Sequence, residues 1–100
     1  MISIKLASEF DEIIKQDKVL VVFTAEWSTP SKMVEMILEE IQEENKDLPI
    51  VKLDSDRFRS IAKDYSVVNL PVFIIFSNTK VVKQQTGLMR KEELISFIND

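Results

Sequence analysis

The chain has 100 residues, 45% of them hydrophobic, and its 13 Lys and Arg against 17 Asp and Glu leave a formal net charge of −4. That size and apolar content predict one domain spanning 1–100 with its own core, while the acidic balance and the lack of a basic cluster argue against nucleic acid or anionic membranes as partners. Cys and His are both absent, which excludes structural disulfides, the usual zinc sites and any Ser-His or Cys-His nucleophile pair, so neither a metal nor another cofactor is expected.

The opening residues MISIKLASEF contain no signal-like apolar segment, and the longest apolar run, 19–23, is far short of the roughly 20 residues a membrane span needs. The cytosol is the default compartment. In chain order, ISIKL (2–6) alternates like a short strand. ASEFDEIIKQ (7–16) reads as a helix with Ser8 as N-cap and Phe10, Ile13 and Ile14 as its buried stripe. VLVVF (19–23) is apolar at every position, the signature of a strand covered on both faces. From Pro30 to about Asn45, Val34, Ile37, Leu38 and Ile41 recur at helical spacing. IVKLD (50–54) is a further strand. SDRFRSIAKDY (55–65) carries Phe58, Ile61, Ala62 and Tyr65 at helical spacing. VFIIF (72–76) and KVVKQQT (80–86) flank a short turn and predict a hairpin, and RKEELISFIN closes with Leu94, Phe97 and Ile98 on one face. The order βαβαβαββα demands crossover helices first and a hairpin last, hence an α/β mixed sheet covered by helices.

Between the all-apolar strand and the long helix lies AEWSTPSK (25–32), which sets two hydroxyls at a helix N-terminus. Ser28 or Thr29 is the expected cap, with Pro30 and Ser31 in the first turn. A serine nucleophile would need an adjacent base, and the nearest candidate, Lys32, follows Ser31 directly; sequence neighbours on a helix do not face the same way.

The stretch VLVVFTAEWSTPSKMVEMILEEI resembles the core of the thioredoxin family, whose hallmark is a central strand, Ala-Glu-Trp-Cys-Gly-Pro-Cys-Lys-Met, and a long helix. VKLDSD (51–56), NLPVFIIF (69–76) and QTGLM (85–89) fall in the order of that family's third strand, cis-proline loop and late glycine. The resemblance covers essentially the whole chain. It implies the thioredoxin fold: five strands, with β1-β3-β2 parallel and β4-β5 an antiparallel hairpin, flanked by four helices.

It also implies a thiol-disulfide exchange activity in which Ser28 and Ser31 stand at the positions of the attacking and resolving cysteines. The substrate groove would comprise Trp27, Thr29 and Pro30, then Asn69, Leu70 and Pro71 with a cis Leu70-Pro71 bond, then Thr86, Gly87 and Leu88. The implied partners are disulfide-bearing proteins or extended peptides, and a thioredoxin reductase for a cysteine-bearing parent; a monomer is expected. A helix N-terminus lowers a thiol's pKa from about 8.5 and so prepares a nucleophile. A serine hydroxyl there stays protonated and cannot form or release a disulfide, so the chain as it stands is predicted to be redox-inactive.

Three further departures accompany the serines. Val22 stands where the family has a buried aspartate, Thr29 replaces the glycine of the common motif, and Met36 replaces a helix-kinking proline; Lys52 matches the family's partner for that acid and, without it, is expected to snorkel to water. Two origins are open. One is an engineered Cys-to-Ser form of a working disulfide reductase, which retention of Trp27, Pro30, Lys32, Pro71 and Gly87 favours. The other is a natural cysteine-less peptide-binding module. A scaffold without a groove function explains none of those residues.

Overall fold

Every side chain of the central strand β2 (Val19–Thr24) is buried, and in the computed structural model, which describes residues Met1–Asp100, the reason is visible on both faces of the sheet. β2 pairs parallel with β3 (Ile50–Asp54) on one side and antiparallel with β4 (Val72–Ser77) on the other. Val19, Val21 and Phe23 pack into one cluster with Phe10, Ile14, Val51, Ala62 and Phe76, beneath helices α1 (Ala7–Ile13) and α3 (Arg59–Asp64). Leu20 and Val22 join the opposite cluster with Val34, Leu38, Ile41, Leu94 and Ile98, beneath α2 (Thr29–Glu44) and α4 (Lys91–Asn99). A strand covered twice has no reason to alternate polar with apolar. Large core side chains such as Phe23 carry much of the stability, since truncation of a buried Phe to Ala typically costs about 3–5 kcal/mol.

The sheet is completed by β1 (Ile2–Ser3), parallel to β3, and β5 (Lys80–Thr86), antiparallel to β4, in the order β1-β3-β2-β4-β5. The expected five-stranded mixed sheet with four helices is therefore present. The β4–β5 turn places Asn78 and Thr79 at φ of 51° and 72°, the positive values a two-residue type I′ hairpin requires. Positive φ is unfavourable for a β-branched threonine. Here the turn is held from outside, with the Asn78 and Thr79 N–H groups donating to the carbonyls of Gln16 (2.9 Å) and Ile14 (2.7 Å).

Local boundaries differ from the sequence pattern in several places; α1, for one, ends at Ile13 rather than at Gln16. The first strand is only Ile2–Ser3, although the Ile4 N–H still donates to the Lys52 carbonyl at 2.9 Å. The cap of α1 is Leu6, not Ser8; the Glu9 carboxylate satisfies the free N–H groups of Lys5 and Leu6, both at 2.8 Å. These two backbone bonds hold the Glu9 pKa below its ordinary value. Finally, 55–57 is a turn and Phe58 the N-cap, rather than the start of a helix. The Asp54 side chain accepts from the N–H groups of Asp56 (2.8 Å) and Arg57 (3.2 Å), and α3 begins only at Arg59. An aspartate offering its own acceptor competes with helix there.

Candidate functional site

Register brings three loops to one end of the sheet. Phe23, near the C-terminal end of β2, lies opposite Val72, the first residue of β4, and Val72 lies opposite Thr86, the last residue of β5. The chain leaving β2 (25–28), the chain entering β4 (69–71) and the chain leaving β5 (86–88) therefore converge. The Gly87 N–H donates to the Pro71 carbonyl at 2.8 Å, and Gly87 takes a φ of 104°, a region that disfavours side chains.

In the first loop, Ser28 is the N-cap of α2 with Thr29 and Pro30 opening the helix. Its Oγ accepts twice, from the Ser31 N–H at 3.3 Å and from the Ser31 hydroxyl at 3.0 Å. Both hydroxyls are enclosed, with Ser28 4% and Ser31 0% exposed. Thr29 and Pro30 are exposed, and Lys32 turns away to line a polar cavity with Glu35, Lys52 and Asp54. The Lys32 backbone N–H donates to the Ser28 carbonyl at 3.2 Å, but its ammonium bonds to neither hydroxyl, so the pair lacks a base. The Oγ atoms stand where sulfur would stand in a cysteine-bearing chain. A thiolate at position 28 would receive those same two donors at the positive end of the helix, an arrangement that favours the anion.

Trp27 points outward, 68% exposed, and its indole N–H donates to the Asp56 carboxylate at 2.7 Å. In the second loop the Leu70-Pro71 bond is cis; Pro71 is buried, Leu70 half-buried and Asn69 exposed. Neither the N–H nor the carbonyl of Leu70 makes a hydrogen bond within the chain. In the third loop Leu88 and Thr86 are exposed. Trp27 and Leu70 together line a cavity of about 390 Å³ whose other wall is α3.

Two residues that the sequence reading passed over belong to this region. Asp56 orients Trp27, and Glu35 pairs with Lys52, which lies opposite Val22 in the β2–β3 register. Lys52 is thus in an ion pair with a helix carboxylate instead of snorkelling free. The only available signal was indirect: Glu35 lies four residues after Ser31, on the same side of α2. Met36 is exposed on a helix that runs unbroken from Thr29 to Glu44.

A mixed five-stranded sheet with a helix N-terminus, a cis-proline loop and a glycine turn gathered at one end defines an α/β protein of the thioredoxin-fold class. The Thioredoxin family profile matches residues 2–100. Thioredoxin from Chlamydia trachomatis is 34% identical over 99 residues, covering 99% of this chain and 97% of that protein. Thioredoxin-1 from Saccharomyces cerevisiae is 38% identical over 84 residues, covering 83% of this chain and 82% of that protein. Among solved structures, Plasmodium falciparum thioredoxin superposes with a TM-score of 0.91 at 26% identity, covering 99% of this chain and 97% of that one. A mutant thioredoxin from Halobacterium salinarum superposes with a TM-score of 0.90 at 27% identity, covering 98% of this chain and 87% of that one. The chain belongs to the thioredoxin family, a family of thiol-disulfide oxidoreductases, and carries serine at both positions where the family motif has cysteine.

Proposed function

We propose that the chain is a cysteine-less form of a protein disulfide reductase, in which Ser28 and Ser31 occupy the positions of the attacking and resolving thiols. Trp27, Thr29, Pro30, Asn69, Leu70, Pro71, Thr86, Gly87 and Leu88 form the groove for an extended segment of a disulfide-bearing protein. The observation that carries this reading is the Ser28 oxygen, capping α2 and accepting both donors of Ser31. With sulfur there, a thiolate at 28 would attack a substrate disulfide, form a mixed disulfide and release one substrate thiolate. The deprotonated thiol at 31 would then attack the mixed disulfide, release the second substrate thiolate and leave a 28–31 disulfide, so that two electrons pass to the substrate. Serine supports neither step. What remains to the present chain is binding: the unpaired Leu70 backbone offers strand-like hydrogen bonds, and the exposed Trp27 offers an aromatic contact.

An engineered Cys-to-Ser origin fits the retention of Trp27, Pro30, Lys32, Pro71 and Gly87 around a change confined to two atoms. On that reading the parent is a cytosolic monomer recharged by a thioredoxin reductase. The other reading, a natural cysteine-less interaction module, draws on the same groove. Turnover of insulin with dithiothreitol separates them. The chain as it stands should not exceed the buffer blank, and the double variant Ser28→Cys/Ser31→Cys should. A well-folded double variant without turnover would show that the groove has diverged beyond thiol loss and would favour the binding module.

A further inference from the structure

The cavity beside Trp27 has a wall that the groove reading leaves without a role. Arg59 and Lys63 are four residues apart, one turn along α3, and both line the cavity with Trp27 and Leu70. Neither side chain has a carboxylate partner or any hydrogen bond within the chain, although the protein as a whole is acidic. The one carboxylate on the cavity wall, Asp56, is engaged by the Trp27 indole N–H at 2.7 Å. Ser55 also lines the cavity, and its hydroxyl is buried with no hydrogen-bond partner. Val68, 81% exposed, supplies apolar surface at the rim. Two cations without an ion-pair partner and an apolar surface therefore line one space next to the free backbone of Leu70, with Asp56 as the single opposing charge.

We propose that α3 gives this groove its partner selectivity: it accepts an extended protein segment in which an apolar residue is followed or preceded by carboxylates. The apolar side chain rests against Trp27, Val68 and Leu70, while Arg59 and Lys63 pair with the acidic side chains. The inference rests on the groove reading and adds the chemical class of the bound segment. Because both cations are exposed, each pair is worth little in water, and the combined preference should be roughly three- to tenfold in affinity.

Trp27 is the sole tryptophan, so its fluorescence reports occupancy directly. The test titrates the chain with cysteine-free ten-residue peptides having one central leucine, flanked by two glutamates, two glutamines or two lysines. The glutamate peptide should bind about three- to tenfold tighter than the glutamine one, with the lysine peptide weakest. In the variant Arg59→Gln/Lys63→Gln the three affinities should converge. Where direct binding is too weak to measure, the Ser28→Cys variant supplies a second readout, in which acidic and neutral peptides, each carrying one cysteine as a peptide–peptide disulfide, compete for its thiolate, which attacks that disulfide and releases one peptide thiolate. Their product ratio should change when Arg59→Gln/Lys63→Gln is added. Binding that perturbs Trp27 equally for all peptides, with an unchanged ratio in competition, overturns the selectivity and leaves the groove standing. Amide-shift changes away from 27–30 and 69–71, or no mixed disulfide with any peptide, overturn the groove and the selectivity together.

Discussion

Trp27 and Ser28 are adjacent in the chain and opposite in environment. The indole is 68% exposed and tethered only by its edge to Asp56, whereas Ser28 is 4% exposed with its oxygen taken up by Ser31. One residue of helix entry separates a rim open to solvent from a floor that is enclosed. The rim depends on loop residues from 27, 56 and 70, so it can change without disturbing the core. The floor depends on the N-terminus of α2, whose Val34, Leu38 and Ile41 are wholly buried, and it is as rigid as the fold.

The largest test of that division acts on the floor. Ser28→Cys alone should accumulate mixed disulfides with substrate proteins, because the Ser31 hydroxyl cannot resolve them; adding Ser31→Cys should convert accumulation into turnover. Non-reducing electrophoresis distinguishes the two outcomes, and equal accumulation in both variants would remove position 31 from the resolving role.

A second test sharpens the electrostatics beneath the floor. Val22→Asp in the double-cysteine background places a carboxyl in an apolar cluster beside Lys52, whose ammonium already pairs with Glu35. Burial raises the pKa of such an acid, and the exchange should cost about 2–4 kcal/mol, read as a lower melting temperature. If Lys52 transfers its bond to the new carboxylate, Glu35→Gln should be nearly neutral in the Val22→Asp chain, although it costs up to about 1 kcal/mol in the parent. Additive losses would show that Lys52 stays with Glu35. A buried acid at 22 should also speed release of the mixed disulfide, and an unchanged rate would rule out that gain.

On the rim, Trp27→Ala should weaken peptide binding by at least roughly fivefold while moving the melting temperature little, because so exposed a side chain contributes little to folding. Asp56→Asn should have a smaller effect of the same sign. A large loss of stability from Trp27→Ala would mean that the rim and the floor are one structural unit.

The smallest effect lies far from both. Glu9 and Glu93 are exposed, and each has its pKa lowered chiefly by accepting backbone N–H bonds at a helix start, from Lys5 and Leu6 for Glu9 and from Arg90 for Glu93. A carboxylate whose folded pKa lies below its unfolded value stabilises above the unfolded pKa, and that contribution is lost as pH falls through the folded one. Stability should therefore decline gently below the ordinary value of 4.5. The double variant Glu9→Gln/Glu93→Gln should flatten that part of the melting-temperature profile without altering peptide binding.

Sequence by itself determined the elements whose signal is periodic or chemical. Val19–Phe23 announced a doubly covered strand, Val34, Leu38 and Ile41 announced the long helix, and the missing cysteines announced the loss of thiol chemistry. A cap at Ser28 or Thr29 was legible because capping is a contact between residues three apart, and the structure makes it Ser28. Only the tertiary structure decided the contacts between segments distant in the chain: Trp27 with Asp56, Lys52 with Glu35, Arg59 and Lys63 facing Leu70 across one cavity. These depend on strand register and on where each crossover returns, and a side chain of flexible length can find any of several partners once register has placed them. At α1 the competition is local instead, and there Ser8 looked like a cap. Glu9 reaching back to Lys5 and Leu6 outcompeted it, because a carboxylate accepting two N–H groups is a stronger bond than a hydroxyl accepting one.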